Sequence, residues 1–112
     1  AREDSAVTTI TTEGNFVTQI TTMEVEPGRQ SELLSIMTER ARFMAGQPGF
    51  MSISLHRSLD GTKIVNYVQW TTRELLEEAH RAPEFREKWP QVSELADAAV
   101  PCLYEVVHTE TK

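Results

Sequence analysis

Apolar positions along this chain recur with two periods, and the switches between them mark out the elements. From Asn15 to Val25 the period is two. Phe16, Thr18, Ile20 and Thr22 fall on one face, and Val17, Gln19, Thr21, Met23 and Val25 on the other, which is the alternation of a half-buried strand. Pro27-Gly28 ends it, and proline suits the approach to a helix. Over residues 29–45 the period lengthens. Leu33, Met37, Ala41 and Met44 recur at spacings of four, four and three, widened by Leu34 and Ile36. Glu32, Glu39, Arg40 and Arg42 mostly fall outside the stripe, so the pattern predicts an amphipathic helix. Gly46-Gln47-Pro48-Gly49 stops it, because proline cannot extend a helix and glycine tolerates the turn.

The alternation then returns in FMSISLHR (50–57), with Phe50, Ser52, Ser54 and His56 on one face and Met51, Ile53 and Leu55 on the other. Asp60-Gly61 signals a hairpin turn, followed by a third strand from about Lys63 to Trp70. Thr71 or Thr72 caps a second helix, with Glu74 in its first turn and Leu75, Leu76 and Ala79 as its short apolar face. Pro83 breaks it. Phe85, Trp89, Val92 and Leu95 predict a further helix distorted by Pro90, and CLYEVVH (102–108) reads as the last strand. The order is β-α-β-β-α-β, a ferredoxin-like α+β fold with helices on one face of an antiparallel sheet. Residues 14–110 make one domain; residues 1–13 are a polar tail in which AVTTITT is β-branched enough for a short extra strand. The outer face, assigned Met51, Ile53, Leu55, Val65 and Tyr67, is too apolar to leave in water. A symmetric homodimer packed sheet on sheet covers it.

The helix-facing side is where the pattern departs from a core built for stability alone. Strand three, IVNYVQW, puts Ile64, Asn66, Val68 and Trp70 there, and strand two adds Phe50, Ser52, Ser54 and His56. An unpartnered buried amide costs about 1–3 kcal/mol. Small hydroxyls, aromatic walls and a few polar groups instead suit a ligand cavity. Each residue also has a plainer reading. Asn66 bonds nearby backbone or His56, Trp70 and Trp89 fill the core, Ser52 and Ser54 are small residues under a helix, and Arg86, His80 and His108 are solvated.

Composition narrows the functional classes. The 112 residues carry 17 acids against 11 lysines and arginines, a net charge of −6 without like-charged runs. Such a balance disfavours nucleic acid or an anionic membrane as the main partner. Cys102 is the single cysteine, so no intrachain disulfide forms and a reducing cytoplasm is the expected home. His56, His80 and His108 are too far apart in sequence for a zinc motif. No apolar run approaches the length of a membrane span or a signal core.

The stretch QPGFMSISLHRSLDGTKIVNYVQW (47–70) resembles the antibiotic biosynthesis monooxygenase family, and within it the small anthrone and quinol oxygenases of aromatic polyketide pathways. The matching elements are Pro48-Gly49-Phe50, the Ser and His positions of strand two, Asp60-Gly61, Asn66-Tyr67 and Gln69-Trp70. The resemblance implies a dimeric α+β barrel that uses dioxygen as co-substrate with neither metal nor flavin. It carries the family's strand-three Asn and Trp onto Asn66 and Trp70, and its late-helix arginine onto Arg86. The strand-one asparagine of some members falls on Thr18, and a tyrosine after the Trp falls on Leu76; both are departures.

What the resemblance implies chemically is oxidation of an anthrone or hydroquinone to a quinone. The electron-rich anion reduces dioxygen, the radical pair recombines to a peroxide, and water leaves. Asn66, Trp70 and Arg86 are the expected catalytic groups. Thr18, Phe50, Ser52, Ser54, His56, Phe85 and Trp89 are the expected substrate-binding groups, with His56 a reserve base. Alternatives on the same fold are a non-catalytic carrier of an aromatic metabolite, an isomerase or cyclase, a quinol-detoxifying oxidase, a structural dimer that has lost its substrate, and a haem-degrading enzyme. For the last, Trp89 stands where a haem-ligating His is required, and tryptophan cannot ligate iron; His80 is the imidazole nearest that region.

Overall fold

Four strands and four helices follow one another in a computed structural model that describes residue 10 and residues 16–112. They are β1 (Val17–Val25), α1 (Gln30–Met44), β2 (Phe50–Arg57), β3 (Lys63–Trp70), α2 (Arg73–His80), α3 (Pro83–Arg86), α4 (Trp89–Leu95) and β4 (Ala96–Tyr104). The strands form one antiparallel sheet in the order β2-β3-β1-β4, with α1 and the later helices on one face, the ferredoxin-like arrangement the alternation predicts. The expected tail or extra strand at 1–13 lies outside the described residues apart from Ile10.

The core forms in two parts between sheet and helices. One joins Met23, Val25 and Ile64 to Leu33, Met37, Val92 and Leu95; the other joins Val68 and Trp70 to Met44, Leu76 and Ala79. Odd-numbered positions of β1 and even-numbered positions of β3 therefore face the helices, in keeping with strict period two.

In β2 the period slips. Phe50 pairs with Trp70, but Ser52 pairs with Gln69, the very next residue of β3, so Met51 is an extra residue bulged out of the ladder. A bulge moves everything after it to the opposite face. Phe50, Ile53 and Leu55 consequently pack against the core, while Ser52, Ser54 and His56 stand opposite Gln69, Tyr67 and Val65 on the outer face. This corrects the expected face of β2 in both directions: Ile53 and Leu55 do not belong to the outer surface, and Ser52, Ser54 and His56 do not belong to the inner one.

Gly49 anchors the start of β2. Its φ is +85°, and a Cβ there would lie 2.5 Å from Leu75 Cδ1 and 2.7 Å from Leu75 Cβ. Its carbonyl accepts the Thr71 N–H at 2.8 Å. Only glycine combines that backbone conformation with so close an approach of β2 to α2. Thr72 caps α2, its hydroxyl accepting the Leu75 N–H. At the other end of the chain β4 begins at Ala96 and ends at Tyr104, earlier than the expected 102–108. The Ala-rich run 96–99 has helical propensity, yet pairing with β1 along its whole length overrides it. β4 is an edge strand, which is where Pro101 is tolerated.

Candidate functional site

Between the sheet and the helices lies a cavity of about 600 Å³. Its floor is Gln19, Thr21 and Met23 of β1, Asn66 of β3, and Ala99 and Pro101 of β4. Its roof is Met37 and Arg40 of α1, His80 of α2, Phe85 and Arg86 of α3, and Trp89 and Pro90 at the start of α4. Arg86, Trp89, Pro90 and Pro101 are exposed and form its mouth. A deep recess of about 30 Å³ shares Gln19, Met37, Arg40, Asn66, His80 and Phe85 and runs to Trp70, Val68 and Ile53. The volume lies within the range of small-molecule sites. Its space comes from the small side chains of β4 and from the break between α2 and α4, where Pro83 and Pro90 each start a short helix, and not from serines of β2.

Three buried polar atoms around this space have no hydrogen-bond partner among the described residues: Asn66 Oδ1, Trp70 Nε1 and Arg40 Nε. Native interiors satisfy such atoms, and each orphan costs on the order of 1–3 kcal/mol. Three of them around one cavity give it polar groups able to hydrogen-bond a small molecule. Trp70 is itself 0% exposed and is held edge-on by Phe50, with ring centroids 5.6 Å apart at 89°. Phe50 thus supports the wall from behind rather than lining it.

Sequence reasoning missed two residues here. Arg40 is 5% exposed, although a charge at that position reads as solvated. The signal was present: Leu33, Met37, Arg40 and Met44 follow one another at four, three and four residues, a better helical stripe than the one drawn through Ala41. Its guanidinium lies 3.9 Å from the centre of the Phe85 ring and 5.4 Å from that of Trp89, a cation–π arrangement that offsets part of its desolvation. Burial brings its pKa from the ordinary 12.5 down to about 10, so it remains charged at neutral pH. The other is His80, assigned to the surface by its polar neighbours. It ends α2 and stacks on Phe85, centroids 4.9 Å apart at 23°, and meets Trp70 in a T-shaped contact with centroids 6.4 Å apart. Burial first, and then the charge of Arg40, push its pKa below the usual histidine value.

The expected residues divide accordingly. Asn66, Phe85, Arg86 and Trp89 line the main cavity and Trp70 the recess. Trp89 is 48% exposed at the mouth rather than in the core. Ser52, Ser54 and His56 lie on the opposite side of the sheet, where the Ser52 hydroxyl donates to Gln69 Oε1 at 3.2 Å, so His56 cannot serve as a base in this cavity. Thr18 is also on that side, opposite Gln69. The polar strand-one side chains at the cavity are Gln19 and Thr21, on the more apolar face of β1, so Gln19 brings the second amide that Thr18 does not supply. Leu76 is buried in the core beside Trp70.

A ferredoxin-like sheet roofed by broken helices, with a half-polar cavity between the layers, defines an α+β protein built to enclose a small molecule. The chain belongs to the antibiotic biosynthesis monooxygenase family, whose pattern matches residues 16–88. It is 26% identical over 102 residues to tetracenomycin-F1 monooxygenase of Streptomyces glaucescens, covering 90% of each chain. It superimposes on SnoaB, a cofactor-independent oxygenase from Streptomyces nogalater, with a TM-score of 0.80 at 25% identity, covering 88% of this chain and 100% of that one. A conserved protein from Methanosarcina mazei shares the fold at 16% identity and a TM-score of 0.74, with 80% of this chain and 91% of that one covered.

Proposed function

We propose that this protein is a cofactor-independent monooxygenase that oxidises a hydroxylated polycyclic aromatic, an anthrone or related hydroquinone, to a quinone with dioxygen. The observation that carries the reading is the pair of unpartnered groups, the acceptor Asn66 Oδ1 and the donor Trp70 Nε1, both of which line the recess of one cavity. The family, and the description of SnoaB as cofactor-independent, support it.

Ground-state dioxygen is a triplet and reacts slowly with neutral closed-shell molecules, so the protein must generate an electron-rich anion. The Asn66 Nδ2–H donates to the substrate oxygen on which enolate charge develops, its unpartnered Oδ1 accepts from a substrate hydroxyl, and Gln19 supplies a second amide to the same cavity. Phe85 and Trp89 wall the ring system in the main cavity, and Trp70 offers its N–H as a donor at the recess. Arg86 at the mouth adds positive potential. The anion passes one electron to dioxygen, superoxide and substrate radical combine at carbon, and the protonated peroxide loses water to leave the carbonyl. For an anthrone one dioxygen is consumed, with one oxygen atom in the quinone and one in water; a hydroquinone that already bears both oxygens gives its quinone with hydrogen peroxide. Met37, Ala99 and Pro101 keep bulk water from the intermediate.

The test is aerobic turnover of a dithranol-type anthrone by the purified protein, followed by quinone absorbance and oxygen consumption. Asn66→Ala is expected to lower kcat by about 100-fold, with a smaller loss for Trp70→Phe. Full rates in both variants would remove these roles. Binding of the aromatic without oxygen uptake would instead make the protein a carrier. A shifted Soret band on titration with haemin would favour the haem alternative that His80 now brings within reach.

The outer sheet face carries Ile20, Val65, Tyr67, Val100 and Tyr104, the last two 63% and 48% exposed. We assign it to a sheet-on-sheet homodimer. The unpaired, exposed Cys102 on the same strand suits a reducing cytoplasm.

A further inference from the structure

Among the described residues, the cavity is lined by two guanidinium groups and one imidazole and by no carboxylate. In a chain with 17 acids and 11 lysines and arginines, that local inversion of charge is directed at something. Arg40 is the deeper of the two cations. It occupies a core position of α1, touches both the main cavity and the recess, and leaves Nε unpartnered. Glu39, its neighbour in sequence, turns away to pair with Lys88 at 3.5 Å. The ring of His80 stacks on the same Phe85 side chain that the Arg40 guanidinium contacts.

We propose that the site takes its substrate as an oxyanion, with Arg40 holding the anionic oxygen and His80 accepting the proton that ionisation releases. The inference deepens the oxygenase reading and rests on it for the identity of the acid, a phenol or enolisable anthrone. The groups facing His80 are consistent with a base. Among the described residues, Arg40 from α1 and Arg86 from α3 are the only charged side chains lining the cavity; β1, β3 and β4 contribute Gln19, Thr21, Met23, Asn66, Ala99 and Pro101, all uncharged. Burial and Arg40 both disfavour the imidazolium, so the ring is neutral and able to accept at neutral pH. The step balances. The substrate O–H or benzylic C–H bond breaks, its proton goes to an imidazole nitrogen, and its electron pair becomes the enolate or phenolate charge beside Arg40. After dioxygen adds, the peroxide anion takes that proton back from His80. The second benzylic proton and the distal oxygen then depart as water, and His80 is neutral again.

The probe is 2-hydroxyanthraquinone, an aromatic phenol that is already oxidised and whose visible spectrum distinguishes phenol from phenolate. Bound to the wild-type protein at a pH where the free dye is neutral, it is expected to show the phenolate band, with the ionised-to-neutral ratio raised about tenfold or more, equivalent to one pH unit or more. Arg40→Met is expected to abolish that band while tryptophan quenching still reports bound neutral dye; Arg40→Lys is expected to restore part of it. His80→Gln is expected to keep the dye's ionisation but to remove the acid limb of the kcat/KM–pH profile for the anthrone, a limb whose midpoint in the wild type falls below the ordinary histidine value. A wild-type complex in which the dye stays neutral, or an Arg40→Met complex with an undiminished phenolate band, overturns the anion site. A pH profile unchanged by His80→Gln overturns the base. Phenolate capture without anthrone turnover sinks the oxygenase reading and leaves the anion site standing; normal turnover with neutral dye does the reverse.

Discussion

Arg40 concentrates the conflict between stability and chemistry at the scale of one residue. A guanidinium at a core position of α1 without an ion-pair partner among the described residues is costly, and the aromatic faces of Phe85 and Trp89 return only part of that cost. Replacing it with an apolar residue of similar length is therefore expected to stabilise the fold while harming function. Arg40→Met is expected to gain roughly 1–3 kcal/mol in urea unfolding, and an unchanged or lowered midpoint would show that the charge is better satisfied than its surroundings indicate. The same logic explains why Asn66 was legible from sequence and Arg40 was not. An amide amid Ile64, Val68 and Trp70 stands out in a strand of strict alternation. An arginine in a helix is ambiguous, because a shift of one position along a 3.6-residue period moves the deduced apolar stripe by about 100° and exchanges Ala41 for Arg40.

Among elements, the hairpin of β2 and β3 decides most. The Met51 bulge determines which residues of β2 see the helices, and a register slip of one residue inverts a strand. Met51 itself is 41% exposed, so Met51→Ala is expected to leave stability within about 0.5 kcal/mol. Deleting Met51 is expected to force Phe50 off Trp70 or bring Ser52, Ser54 and His56 inward, with loss of cooperative thermal unfolding; a deletion variant as stable as the parent would mean that β2 tolerates either face. Gly49→Ala combines strain at positive φ with a collision against Leu75 and is expected to cost about 2–4 kcal/mol in chemical denaturation. At the far end of the hairpin, Asp60 accepts bonds from the Thr62 hydroxyl, the Ser58 hydroxyl and the Thr62 N–H, which lower its pKa to about 2. A carboxylate with a folded pKa below its unfolded value of roughly 3.9 contributes stability above about pH 4 that is lost as pH falls toward 2. Asp60→Asn is expected to flatten the acid limb of the stability–pH curve in that window.

For the whole molecule, the sheet has two unlike faces. The inner one holds the core and the cavity; the outer one presents Val100 and Tyr104 on the edge strand β4 beside Ile20, Tyr67 and Val65. Sedimentation equilibrium is expected to give twice the mass of one chain, and Val100→Glu to shift the population to monomers by placing a charge inside the apolar contact. A wild-type monomer at micromolar concentration would leave the outer face without its proposed cover.

Sequence by itself determined the order β-α-β-β-α-β, the hairpin at Asp60-Gly61, a threonine cap at 71 or 72, the need for a break near Pro83 and Pro90, and the polar anomaly at Asn66. All of these are local: each follows from a period, a turn residue or a missing N–H within a few positions. Tertiary structure alone decided the face of β2, the early start of β4, and the union of Gln19, Arg40, Asn66 and His80 around one space. Pairing energy along a neighbouring strand can absorb an extra residue or override helical propensity without leaving any local trace. Four side chains from β1, α1, β3 and α2 acquire a shared environment only when those elements pack.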